Sequence, residues 1–111
     1  MSTAPDRGDL IWITFNPQAG HEQAGRRPAL VISPVEYNDK VGLVLCCPVT
    51  SRRKGYPFEV DLPEGLPVSG VVLADQVRSL DWRIRRAEAA GRVSPEVVAE
   101  TIGKLNALLS R

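Results

Sequence analysis

Among 111 residues there are only two cysteines, one histidine and one methionine, so the usual soft nucleophiles and metal ligands are scarce. The cysteines are neighbours, Cys46 and Cys47, and neighbours on a strand point to opposite faces. A disulfide between them is therefore disfavoured, and with His21 alone they form no zinc pattern. They read as buried, inert thiols in a reducing compartment. Glycine-rich phosphate loops of the Walker or dinucleotide type are missing, as are HExxH, CxxC and GxSxG. A serine or cysteine nucleophile would have to rely on His21 as its base. No apolar run is long enough for a bilayer and no signal peptide opens the chain, so a cytoplasmic protein with no membrane partner is expected. An excess of one charge is missing too: 14 Lys+Arg against 13 Asp+Glu leave +1, so bulk charge does not announce a nucleic-acid binder.

What is present suits a folding chain. Hydrophobic content of 43% and charged content of 24% are those of an ordinary globular protein, and the length predicts a single domain over 1–111 with a polar, flexible start at 1–8. Strands are expected from Asp9 through LIWITFN, at ALVIS, at VGLVLCCPV, at FEVDL, and over VVLADQVRSL, where Ala-Asp-Gln marks a bend or bulge. PVEYNDK reads as a turn with one helical turn, and 81–91 has no clear assignment. Ser94, Pro95 and Glu96 then open a helix with Val98, Ile102, Leu105 and Leu109 on one face. The fold class is mainly β with α: a small, bent, mostly antiparallel sheet closed towards a barrel, with a C-terminal helix against it.

The charge is clustered although its sum is small. Arg26 and Arg27, then Arg52, Arg53 and Lys54, then Arg83, Arg85 and Arg86 make three basic knots. The first lies in GHEQAGRRPAL, which reads either as a solvated turn or as a phosphate site with Arg27 as anion clamp and Glu22 or His21 as proton acceptor. Pro28 restricts Arg27 to extended backbone and so aims its side chain. Strands at 29–32 and 41–49 are joined by a short connection and should pair antiparallel, which brings Arg27 and Thr50 to one edge. An arginine and a hydroxyl there suit RNA cleavage, because RNA carries its own 2′-OH nucleophile and asks the protein only for a base, an acid and an anion clamp. In that reading Arg27 holds the non-bridging oxygens, Thr50 donates to them, and Glu22 is the most natural base. The alternatives are a surface ion pair for Arg27 and a backbone-bonded strand end for Thr50. Trp12 and Phe15 read as core or interface residues before stacking platforms.

The segments GDLIWITFNPQAGHEQAGRRPALVISPVEYN, CPVTSRRKGYPFEV and GVVLADQVRSLDWR, with their motifs GxEQAGxRP, PVTS followed by KGYPFEV, and LADQVRS, resemble the PemK/MazF family of bacterial toxins almost continuously from Gly8 to the C-terminal helix. The resemblance implies an SH3-like barrel, shared with the gyrase poison CcdB, assembled as a homodimer. It implies a metal-independent endoribonuclease without cofactor that cuts single-stranded mRNA at a short sequence and leaves 2′,3′-cyclic phosphate and 5′-OH ends. The family's catalytic arginine falls on Arg27 and its catalytic threonine on Thr50, while Glu22, the expected catalytic base, matches the acidic residue of its EQ motif. Its RNA-contacting loop corresponds to Arg52–Tyr56, and RNA contacts are expected at Gln23, Arg26, Ser51, Arg52, Arg53, Lys54, Tyr56 and Gln76, with Arg26 at a position that varies in the family; its partner is a MazE-like antitoxin that competes for the basic groove. His21 stands where relatives usually carry a small hydroxyl residue, so a histidine is not required. The competing expectation is a CcdB-like poison of DNA gyrase that cuts nothing.

Overall fold

The computed structural model describes residues 4–16 and 25–110. Along them run β1 (Asp9–Thr14), β2 (Arg26–Val31), α1 (Val35–Val41), β3 (Leu43–Thr50), β4 (Glu59–Asp61), β5 (Val71–Leu73), a 3-10 turn at Ala74–Gln76, β6 (Arg78–Asp81), β7 (Glu88–Arg92) and α2 (Pro95–Leu109). The strand pairs are antiparallel and the order is β4-β5-β3-β2-β1-β7, with β6 also paired to β3. β3 joins the two halves of the sheet. Its Leu43–Cys46 segment pairs with β6, Val49 and Thr50 pair with β5, and Cys46–Pro48 face β2 across the other edge. Among the described residues no ladder joins the β4 and β7 edges, so the sheet is bent but open and "barrel" describes it loosely. The expected mainly β class with a C-terminal helix holds.

Period-two alternation sorts the apolar side chains into two cores. Leu10, Leu30, Cys47, Val49, Val60 and Val72 pack on one side with Val97 and Val98 of α2. Ile11, Ile13, Phe15, Val31, Val44, Cys46 and Trp82 pack on the other. Cys46 and Cys47 thus point to opposite faces, both free and buried, and burial pushes each thiol up to about 12. They are packing residues at neutral pH.

Several elements differ from the sequence expectation for physical reasons. Val35–Val41 form two helical turns, because Gly42 closes α1 in a left-handed conformation and donates its N–H to the Asn38 carbonyl at 3.0 Å. The strand expected at ALVIS begins earlier, at Arg26, and Pro28 lies inside it opposite Trp12. Ala-Asp-Gln is the 3-10 turn that divides VVLADQVRSL into β5 and β6. Glu88–Arg92 is a strand with only Ala90 buried. Its sequence EAAGR has no β-branched or aromatic residue to announce it. In α2, Val97, Val98 and Thr101 are buried while Leu109 is 73% exposed. Thr101 is accommodated because its hydroxyl donates to the Val97 carbonyl at 2.9 Å. Ser94 has the extended backbone of an N-cap, but its hydroxyl makes no capping bond. Residues 4–8, expected to fray, are tied down: the Pro5 carbonyl accepts the Asn38 amide at 2.8 Å, the Asp6 carboxylate accepts the Val35 N–H at 2.9 Å, and Arg7 Nε donates to the Ile32 carbonyl at 2.8 Å. No helix of the described residues is long and apolar enough to cross a membrane.

Candidate active site

Arg27 is the second residue of β2 and Thr50 the last of β3. The ladder pairs Ala29 with Pro48 and Leu30 with Cys47, and continuing it by two residues sets Arg27 against Thr50. Cross-strand neighbours in an antiparallel pair project on the same face. Both residues line one open groove of about 950 Å³. Arg27 is partly buried, and a long hydrogen bond of 3.5 Å from its Nη1 to the Val49 carbonyl holds it along β3. Desolvation lowers its pKa, but a guanidinium stays cationic at neutral pH. Thr50 is buried, and its Oγ1 accepts the Arg52 N–H at 3.2 Å. Since that bond uses the oxygen as acceptor, the hydroxyl proton remains to be donated to an anion.

The backbone behind Thr50 is fixed by a glycine. Gly70 has φ +124°, and a Cβ on it would lie 2.2 Å from the Thr50 carbonyl oxygen. Only a residue without a side chain allows that approach.

The loop after Thr50 is held at several points. The Glu59 carboxylate accepts the N–H groups of Lys54 at 2.8 Å and Gly55 at 2.9 Å. Lys104 of α2 donates to the carbonyls of Pro57 at 2.7 Å and Glu59 at 2.9 Å. Ala74 N–H reaches the Phe58 carbonyl at 3.0 Å, and the Tyr56 hydroxyl donates to Asp75 Oδ1 at 3.1 Å. Burial and that bond push the Tyr56 phenol up to about 12, so it stays protonated at neutral pH. A loop with so many anchors presents its cations in a fixed arrangement.

Arg26, Arg27, Thr50, Ser51, Arg52, Lys54, Tyr56 and Gln76 all line the groove. Two of the three basic knots therefore meet there. The third does not: Arg83 stacks on Trp82 at 4.5 Å and Arg85 donates to the carbonyls of Thr14 and Asn16. Arg26 sits at the rim, with its guanidinium bound to Glu88 at 2.5 Å and to the carbonyls of Arg85 and Arg86. Arg53 is not among the lining residues and pairs with Asp61. His21, Glu22 and Gln23 lie outside the described residues. Sequence reasoning passed over Trp12, Ser69, Glu59 and Asp75 as lining residues. Trp12 is 41% exposed, whereas Phe15 is core. The alternation of LIWIT, with Ile11 and Ile13 inward, was the signal that Trp12 faces the other way.

An arginine fork and a hydroxyl on one rigid sheet edge, inside a groove with four cationic and two acidic side chains, make a site for a phosphodiester. Comparison with known proteins agrees. Residues 6–109 match the model of the PemK-like, MazF-like toxins of type II toxin–antitoxin systems. The chain is 53% identical over 105 residues to the Endoribonuclease toxin MazF of Escherichia coli strain K12, covering 95% of this chain and 94% of that protein. Its structure superposes on crystalline MazF from Deinococcus radiodurans with a TM-score of 0.94 at 63% identity, covering 97% and 98% of the two chains. It superposes on MazF in a MazE–MazF crystal from the same organism with a TM-score of 0.88 at 63% identity, each chain covered to 97%. The chain belongs to the PemK-like, MazF-like family of type II toxin–antitoxin toxins, and it is an endoribonuclease. These relatives do not favour the gyrase-poison alternative.

Proposed function

We propose that the chain cleaves single-stranded mRNA at short specific sequences by transesterification, leaving 2′,3′-cyclic phosphate and 5′-OH ends. The observation that carries this reading is the placement of Arg27 and Thr50 across from each other at one end of β2 and β3, in the wall of one basic groove. The 2′-OH of the substrate attacks its own phosphorus and the 5′-oxygen leaves. Negative charge grows on the two non-bridging oxygens. The Arg27 fork meets that charge and Thr50 donates a hydrogen bond to the same oxygens, each such donor contributing on the order of 100-fold in rate. Glu22 takes the 2′-OH proton. Tyr56, with its phenol near 12, is unsuited to that task at neutral pH. Water delivers a proton to the departing 5′-oxygen, which becomes the 5′-OH and balances the one taken by Glu22; nucleophile and leaving group both belong to the RNA, so the count needs no metal or cofactor.

Substrate binding belongs to Ser51, Arg52, Lys54, Tyr56 and Gln76 of the groove wall, with the exposed Trp12 offering a ring face to an unpaired base, and to Gln23, which the family resemblance assigns. Arg26 and Arg53 reach the RNA backbone only by exchanging Glu88 and Asp61 for phosphates, which exposed ion pairs do at little cost. The partner is a MazE-like antitoxin whose acidic segment competes for this groove. The active species is a cytoplasmic homodimer. Incubating the purified chain with single-stranded RNA in EDTA tests the reading. Scission at fixed short sites with 5′-OH ends is expected, and intact RNA, or cutting that appears only on adding a divalent metal, contradicts it.

A further inference from the structure

Asp75 is an anomaly in a phosphate groove. Four cations line it, and a carboxylate in the same wall repels the backbone they attract. The other acid, Glu59, is accounted for, since its two oxygens accept two backbone N–H groups and shape the loop. Asp75 anchors the loop with one of its two oxygens only. It is exposed, it projects from the 3-10 turn Ala74–Gln76, and that turn is anchored through Ala74 N–H to the Phe58 carbonyl. Its Oδ1 accepts the Tyr56 hydroxyl. Among the described residues its Oδ2 makes no further hydrogen bond.

We propose that Asp75 is a specificity-determining residue, whose second carboxylate oxygen accepts an N–H from one unpaired base of the bound RNA and so favours adenine, cytosine or guanine over uracil at that position. The inference rests on the ribonuclease reading above. Adenine and cytosine present an exocyclic amine on the edge freed by unpairing, and guanine presents two N–H groups side by side. Uracil sets its single N–H between two carbonyl oxygens, which oppose a carboxylate. Because Tyr56 holds one oxygen and the 3-10 turn holds the backbone, the acceptor is fixed before substrate arrives. A fixed acceptor of this kind discriminates by about 10-fold to 100-fold.

The test uses the full chain and a set of RNA substrates that vary one base at a time around the scissile bond, with kcat/KM measured for each. The wild-type chain should disfavour uracil at one position. Asp75→Asn keeps an acceptor for Tyr56 but offers an amide that suits uracil, so discrimination at that position should fall about 10-fold or more while other positions keep theirs. Asp75→Glu, which retains a carboxylate, should keep the preference, and Tyr56→Phe, which removes the hydroxyl that holds Asp75 Oδ1, should weaken the preference at that same position without abolishing it. An Asp75→Asn chain that loses rate uniformly and keeps its base profile overturns the inference while leaving the ribonuclease reading standing. A wild-type chain that cuts no RNA overturns both.

Discussion

Replacing Gly70 by alanine tests how tightly the sheet sets the position of Thr50. The new Cβ would lie 2.2 Å from the Thr50 carbonyl oxygen and 2.9 Å from its carbonyl carbon. Relief to the 3.0 Å that real Cβ atoms tolerate needs a shift of about 0.8 Å, and both partners are backbone, so no side chain can swing away. Two costs follow. Overpacking of this size takes about 1–3 kcal/mol, and a φ of +124° adds roughly 1–3 kcal/mol of strain for a residue with a side chain. The catalytic cost is larger in relative terms, since a displacement near 1 Å in a reacting constellation lowers the rate by about 100-fold. Gly103 supplies the control. It lies in α2, a Cβ there would meet nothing within 4 Å, and alanine should stabilise the helix by about 0.5–1 kcal/mol. Urea denaturation and kcat/KM on a short RNA should show Gly70→Ala losing both stability and rate, with Gly103→Ala losing neither. A Gly70→Ala chain with wild-type stability and a rate within about threefold of wild type would show that the contact at Gly70 does not set the position of Thr50.

Other outcomes follow from the same geometry. Lys104→Ala removes two charge-assisted bonds to the carbonyls of Pro57 and Glu59, so it should cost about 1–2 kcal/mol in urea unfolding and raise KM for RNA more than it lowers kcat. Arg27→Lys keeps the charge but loses the fork, and kcat should fall by about 10-fold to 100-fold with KM little changed. The thiols of Cys46 and Cys47 stand near 12 in the folded chain against about 9 in an unfolded one. The native state therefore holds more protons above pH 9, and stability should be full below pH 9 and fall as pH rises towards 12, by up to about 1.4 kcal/mol per unit for each thiol. Urea midpoints between pH 8 and pH 10.5 check this, and Cys47→Ala should flatten the slope.

The parts of the fold that follow from local rules were readable in the sequence. Alternation marked β1, a run apolar on both faces marked β3, the adjacency of two strands across a short connection placed Arg27 and Thr50 at one edge, and neighbouring cysteines had to point to opposite faces. Pro95 and Glu96 marked where α2 begins. What was hidden depends on long-range contacts. Nothing near EAAGR announces that Ala90 will be buried in the core that holds Leu10 and Val93, on a strand paired with β1. The inward stripe of α2 includes Thr101 because a hydroxyl can be satisfied within its own helix, a choice that hydrophobic spacing cannot see. Arg26 and Arg27 are alike as letters, yet strand alternation sends one to Glu88 and the other to Val49. Asp75 and Glu59 enter the groove only because β4, β5 and the loop after β3 fold together.

The Arg27 guanidinium and the Thr50 hydroxyl, facing each other across β2 and β3, should act on the same phosphodiester. A double-mutant cycle on single-turnover RNA cleavage, comparing Arg27→Ala, Thr50→Ala and the double variant, measures this directly. If both groups serve one charged intermediate, each single variant loses about 100-fold or more and the double variant is little worse than the poorer single. Losses that multiply independently, or a Thr50→Ala chain that cuts at the wild-type rate, would contradict it.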